Sequence, residues 1–255
     1  MKLIFMTNNN IYFIANWKMH GNIADINRSK SVIKLSNLKK YKKNKIIYCP
    51  PYTLLKSFYS KVKNSNILIG AQNCHSNSDY GPYTGSINVK LIKSTGAKYI
   101  IIGHSENRKS GETDLIINKK IQAALKENLK VIFCIGEKLS EKRKKQTFKV
   151  LQKQLNIGLK GIKKLENIIV AYEPVWSIGT GIIPKNSELN TNIKNIKKIL
   201  SKLKKTINLK ILYGGSVNPK NAKELAQIKD INGFLIGGSS LSSKKFIDII
   251  KKSIN

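Results

Sequence analysis

Arginine is close to absent from this chain: of 47 basic residues, all but Arg28, Arg108 and Arg143 are lysine. Acidic residues are scarce as well, 14 in 255, which leaves a formal charge of +33. A nucleic-acid surface usually concentrates its charge, with arginine for bidentate contacts and aromatics for stacking. Here lysines recur along the whole length, as in Lys142-Arg143-Lys144-Lys145 and Lys204-Lys205, on segments that read as outer helix faces. With abundant isoleucine and asparagine, they read as compositional drift, polyanion binding being the alternative. No specific nucleic-acid partner is expected. Cysteine is equally sparse. Cys49, Cys74 and Cys134 are an odd number without C-x-x-C spacing, which suggests neither a disulfide framework nor a zinc site and fits a reducing cytoplasm. His20, His75 and His104 are the only histidines, none beside a second ligand at metal spacing, so no metal is expected. No apolar run is long enough to span a membrane, and that of Met1–Met6 is too short for a signal peptide. Residues 1–10 read as a short N-terminal extension and 11–255 as one domain without a linker or second core.

What is present is alternation. Short β-rich apolar runs occur at Ile11–Trp17, Ile46–Cys49, Ile67–Ala71, Tyr99–Gly103, Val131–Ile135, Ile168–Tyr172, Ile211–Gly214 and Gly233–Ile236. Between them lie segments of helical period with boundary signals. Asp25 opens one running towards Lys39, and Pro51 precedes another ending near Lys63. Asn88–Thr95 is stopped by Gly96, and Thr113 or Asp114 starts a helix ending near Asn128. Ser140–Leu159, Ser187–Lys205, Lys220–Gln227 and Ser242–Ser253 complete the set. Strand then helix, eight times, with nearly continuous apolar strands, predicts an α/β fold: a parallel sheet closed into a single (β/α)8 barrel.

Such barrels carry their chemistry at the C-terminal ends of the strands. Asn16, Trp17 and Lys18 follow the first strand, and Gly103-His104-Ser105-Glu106 the fourth. Glu173 ends the sixth, followed at once by Pro174 and by Val175, Trp176, Ser177, Ile178, Gly179, Thr180 and Gly181. A carboxylate at a strand end, beside a segment stiff at one end and glycine-containing at its tip, suggests a base under a lid. Alone, the same stretch also reads as a capped strand and an ordinary loop. A lone buried histidine such as His104 is by default a core residue, and Lys18 is one lysine among many. A cation after an apolar strand, however, fits an anionic substrate. Asn16 either supplies an amide hydrogen bond or satisfies the strand end. Gly214-Gly215-Ser216 and Gly237-Gly238-Ser239 follow the last two strands, where backbone N–H groups of such barrels commonly hold phosphate. Cys134 reads as a packing cysteine with no activating neighbour. The one long loop is Gln72–Ser86, and a loop of that length in a compact domain is usually disordered or has a job, such as contacting a partner.

These motifs resemble the triosephosphate isomerase family: Asn16-Trp17-Lys18, Gly103-His104-Ser105-Glu106, Cys134-Ile135-Gly136-Glu137, Ala171–Gly181, Tyr213-Gly214-Gly215-Ser216-Val217 and Gly237-Gly238. They follow the family's order and spacing from Ile11 onward. The resemblance implies cofactor-free interconversion of dihydroxyacetone phosphate and D-glyceraldehyde 3-phosphate through an enediolate, in glycolysis and gluconeogenesis. It implies Glu173 as base, His104 as electrophile, Lys18 as fixed cation, Asn16 as orienting amide, and Glu106 beside Lys18. Gly179, Ser216, Gly237 and Gly238 would hold the phosphate under a lid over Pro174–Pro184. A homodimer is implied through the 72–86 loop, with Thr84 reaching the neighbouring site. Ser86 and Asn107 replace a frequent Glu–Arg interface pair; losing both charges strands neither. Ser177 for alanine reads as a small change. Pro184 lacks the N–H that usually meets the tyrosine matching Tyr213, so the lid is expected to rest on other contacts, such as Ser216 to its backbone.

Overall fold

The computed structural model describes residues 10–163, 165–203 and 209–254. Eight parallel strands close into a barrel in sequence order: β1 Tyr12–Asn16, β2 Lys45–Cys49, β3 Ile67–Ala71, β4 Tyr99–Ile102, β5 Lys130–Ile135, β6 Ile168–Tyr172, β7 Lys210–Tyr213 and β8 Gly233–Ile236. Closure is made by β1 and β8, with Tyr12 opposite Gly233 and Ala15 opposite Ile236. The eight expected strands are these. Successive side chains in a strand point to opposite faces. One set, including Ile14, Ile47, Ile101, Ile132, Ala171, Leu212 and Leu235, packs the barrel interior. The alternate set, including Phe13, Ile46, Ile100, Phe133, Val170 and Ile211, packs outward beneath the helices. Both faces are therefore apolar, which is why the strands read as continuous runs.

The helices are α1 Lys30–Asn37, α2 Leu55–Val62, α3 Val89–Ser94, α4 Ser105–Lys109, α5 Asp114–Lys126, α6 Leu139–Arg143, α7 Thr147–Gly158, α8 Asn186–Leu203, α9 Ala222–Ala226 and α10 Ser243–Ile254. Asn88 and Thr113 cap α3 and α5, their side chains accepting the N–H of Leu91 and Ile116. Two expectations need correction. The segment Ser140–Leu159 is two helices, broken where Lys145 adopts φ 56° and the Gln146 N–H turns back to Glu141 O. No glycine or proline marks that break. The Ser105–Lys109 helix is too short to show a period, and it is the helix that the family resemblance places at His104. Asp25 lies inside a 3-10 turn, Ala24–Ser29, and exchanges hydrogen bonds with Asn22 instead of capping α1. The N-terminal extension, apart from Asn10, and Lys204-Lys205 at the end of the long lysine-rich helix lie outside the described residues.

Candidate active site

The inward face of the barrel positions Glu173. Ile169 and Ala171 point into the barrel, so Glu173, two residues further on, continues that direction at the mouth. Its backbone is still held as a strand, the Glu173 N–H donating to Ile135 O at 2.8 Å. Two glycines make room for it. A β-carbon on Gly136 would stand 1.8 Å from the Glu173 carbonyl oxygen, and one on Gly214 would stand 2.6 Å from Glu173 Cγ. The carboxylate is 2% exposed, and its Oε2 has no hydrogen-bond partner. Burial raises its pKa, with His104, the Cys134 thiol and Lys18 pulling the other way. Cys134 is free and buried, as a packing cysteine should be, and burial pushes its thiol pKa up.

Asn16 continues the inward line of Ile14 and is buried beside the cavity. Its side-chain oxygen accepts the Lys18 N–H at 3.0 Å. Lys18 has φ 54°, a left-handed conformation costly for a residue with a β-carbon. A second clamp holds it there. Gln72 Nε2 donates to both Lys18 O and Cys49 O at 2.8 Å, tying the loop after β3 to the ends of β1 and β2. The Lys18 ammonium lies 2.6 Å from Glu106 Oε1. Burial alone would push Glu106 up, but Lys18 and His104 bring it below the ordinary carboxylate range.

His104 caps α4. Its Nδ1 accepts the Glu106 N–H at 3.3 Å, which requires that nitrogen to be unprotonated. The neutral ring then carries its proton on Nε2, which faces Glu173 Oε1 at 3.4 Å. Behind the ring, Arg108 donates to Gly103 O and Cys134 O and pairs with Asp114, joining the ends of β4 and β5.

Over this cluster lies the segment from Pro174. A 3-10 turn, Val175–Ser177, brings the Trp176 indole N–H to Glu137 Oε1 at 2.8 Å. Glu137 is fully buried, also accepts the Tyr172 hydroxyl, and has its pKa raised first by burial. The Lys142 ammonium sits 3.5 Å from the centre of the Trp176 ring. Ser216 fastens the far end, donating to Ser177 O at 2.8 Å and accepting the Gly181 N–H at 3.1 Å. Thr180 closes the tip on itself, donating to Trp176 O and accepting the Ile182 N–H. Ile178 and Gly179 line a cavity of about 240 Å³ with Asn16, Lys18, His104 and Glu173. Ser216, Gly237 and Gly238 line it too, and a β-carbon on Gly238 would meet nothing within 4 Å. Every site residue expected from the sequence therefore borders this cavity or the segment above it, except Glu106, which joins through Lys18 and His104. Glu137, Gln72 and Arg108 were missed as site-shaping residues. Glu137 is fully buried and Gln72 and Arg108 are half-buried; their partners are set by how the loops settle on the barrel ends, which a string does not show.

Fold and site together define a (β/α)8-barrel enzyme of the proton-transferring kind: a buried carboxylate, an imidazole and an ammonium ion converge beneath the segment from Pro174 at the C-terminal mouth. The triosephosphate isomerase family model matches residues 11–253. The triosephosphate isomerase of Alkaliphilus oremlandii is 39% identical over 246 residues, covering 92% of this chain and 96% of the relative. That of Dictyoglomus thermophilum is 41% identical, covering 93% and 97%. The crystal structure of triosephosphate isomerase from Bartonella henselae superposes with a TM-score of 0.88 at 35% identity, covering 96% of this chain and all of that one. The chain belongs to the triosephosphate isomerase family.

Proposed function

We infer that the barrel, over residues 11–255, interconverts dihydroxyacetone phosphate and D-glyceraldehyde 3-phosphate, a step of glycolysis and gluconeogenesis. Glu173 takes a proton from the carbon next to the carbonyl and returns it to the neighbouring carbon, so no atom is gained or lost. His104 donates from Nε2 to the carbonyl oxygen as negative charge develops there, and exchanges that proton between the two enediolate oxygens. Lys18 offsets the charge, with Glu106 holding its ammonium in place, and Asn16 orients the substrate. The backbone of Gly179, Gly237 and Gly238 and the loop at Ser216 hold the phosphate. The lid excludes water, which matters because an exposed phosphorylated enediolate loses phosphate.

The observation that carries this reading is the pairing of a buried, half-unpartnered Glu173 with a His104 whose other nitrogen is already occupied by α4. The test is isomerisation by the purified protein and by Glu173→Gln. Turnover should fall by about 10²–10⁴-fold in the variant. A Glu173→Gln enzyme with near-normal turnover removes the carboxylate from the mechanism.

The active unit is a homodimer built on the 72–86 loop. Thr84 is exposed at its tip, flanked by Tyr80 at 69% and Tyr83 at 45% exposure, while Met19 beside Lys18 is 94% exposed. The loop is internally braced by the His75–Tyr83 ring contact and by the His75 N–H on Ile87 O. A second copy covering these apolar groups would bring Thr84 to the neighbouring Lys18. The three cysteines are free and buried, which supports a cytoplasmic setting. Among the described residues no helix is long and apolar enough to cross a membrane.

A further inference from the structure

We propose that Ser177 is a positioning residue whose hydroxyl clasps both ends of the lid to β7 and so keeps the lid seated during turnover; the proposal rests on the isomerase reading above. Ser177 is fully buried. Its Oγ lies 2.6 Å from Ile182 O and 3.0 Å from the Tyr213 hydroxyl. A serine hydroxyl has one proton to give, and Ile182 O can only accept. The proton therefore goes to Ile182, and Tyr213 donates to Ser177. One oxygen thus joins the first turn of the lid, its far hinge and the end of β7.

The surroundings are shaped for this contact. A β-carbon on Gly215 would stand 2.2 Å from the Tyr213 hydroxyl and 2.7 Å from Ser177 Oγ, so the clasp occupies the space a side chain at 215 would need. Pro184, two residues beyond Ile182, is buried and has no N–H. The far hinge therefore offers Tyr213 no backbone donor at that position, and the phenol finds its partner in the serine instead. Tyr213 is fully buried, so deleting the Ser177 hydroxyl strands its O–H, whereas Ile182 is exposed and its carbonyl can turn to water. The cost of losing Ser177 falls on the β7 side of the lid. Ser216 would then hold the segment from the β7 side, with the Trp176–Glu137 bond at its first turn.

The experiment compares wild type, Ser177→Ala, Tyr213→Phe and the double variant, measuring kcat, KM and the fraction of turnovers that end in inorganic phosphate. Phosphate is released when the enediolate oxygen's electron pair re-forms a carbonyl, the carbon–carbon double bond shifts, and the C–O bond to phosphate breaks with phosphate as the leaving group, a loss that a seated lid suppresses. Each single variant should lose about 10-fold in kcat/KM and release a larger fraction of phosphate. The double variant should be no worse than either single, because both remove the same contact. A Ser177→Ala enzyme with wild-type kcat/KM and wild-type phosphate release overturns the clasp. So does a double variant in which the losses multiply. Should Ser177→Ala not fold, Tyr213→Phe decides from the other side: unchanged phosphate release overturns the clasp. A wild-type protein that does not isomerise the substrate at all overturns the isomerase reading instead.

Discussion

The Nε2 of His104 stands 3.4 Å from Oε1 of Glu173, while the Nδ1 of the same ring receives the N–H of Glu106. One helix terminus thus fixes which edge of the imidazole carries a proton, and that edge is the one aimed at the base. The pair needs no charged imidazole. A neutral ring donates to a developing oxyanion with a closer match of proton affinity than an imidazolium would.

Glu173 should titrate above the ordinary glutamate value of 4.5, because burial disfavours its ionised form. Carbon-13 NMR of carboxyl-labelled protein, with Glu173→Gln to identify the resonance, reads this directly. A midpoint at or below 4.5 would show that His104 and Lys18 outweigh burial.

The same shift makes Glu173 a burden on the fold. A carboxyl whose folded pKa is raised contributes stability below its unfolded value, and this is lost as pH rises through the folded value. At neutral pH Glu173→Gln should therefore melt higher than wild type, by an amount that shrinks as pH falls towards 4.5. Thermal scans of both proteins across that range check it. A variant that melts lower at every pH would mean that the amide is worse accommodated than the charge.

Lys18→Met keeps the stem of the side chain and removes the ammonium beside Glu106. Catalytic efficiency should fall by about 10²–10³-fold, through a higher KM for the phosphorylated substrate as well as a lower kcat. Glu106 is 57% exposed at its side chain and remains hydrated, so the melting temperature should change little. A change confined to stability would place Lys18 outside the chemistry.

Self-repulsion among 47 basic and 14 acidic side chains should weaken the fold and any dimer at low ionic strength. Raising salt from about 10 mM to about 150 mM shortens the screening length from roughly 30 Å to roughly 8 Å. Melting temperature should rise over that interval, and sedimentation should show a growing dimer fraction that Thr84→Arg diminishes. A flat response would mean that local ion pairs such as Lys18–Glu106 and Arg108–Asp114 already neutralise what matters.

The barrel was legible in the sequence because its strands are buried on both faces, and β-rich runs such as Ile168–Tyr172 stand out without any alignment. The candidate cluster was legible because strand parity and motif spacing place Glu173, His104 and Lys18 at one mouth, where they line one cavity. The supports were not. Glu137 meets Trp176 across 39 residues, Gln72 meets Lys18 across 54, and Ser177 meets Tyr213 across 36. Contacts at such separations are set by how loops settle on a closed barrel, not by local pattern. The break at Lys145 escaped for a related reason: its positive φ is held by a return bond to Glu141, with no glycine to announce it.

Trp176 lies with Lys142 against its face and the Glu137 carboxylate at its edge. The chain's only other indole, Trp17, is packed among Tyr48 and Phe58 in the core, away from the lid. The protein therefore carries its own fluorescent reporter. Were the proposed lid to lift, one indole would lose a cation and a carboxylate while the other served as an internal standard, so opening could be timed by emission in the unlabelled chain.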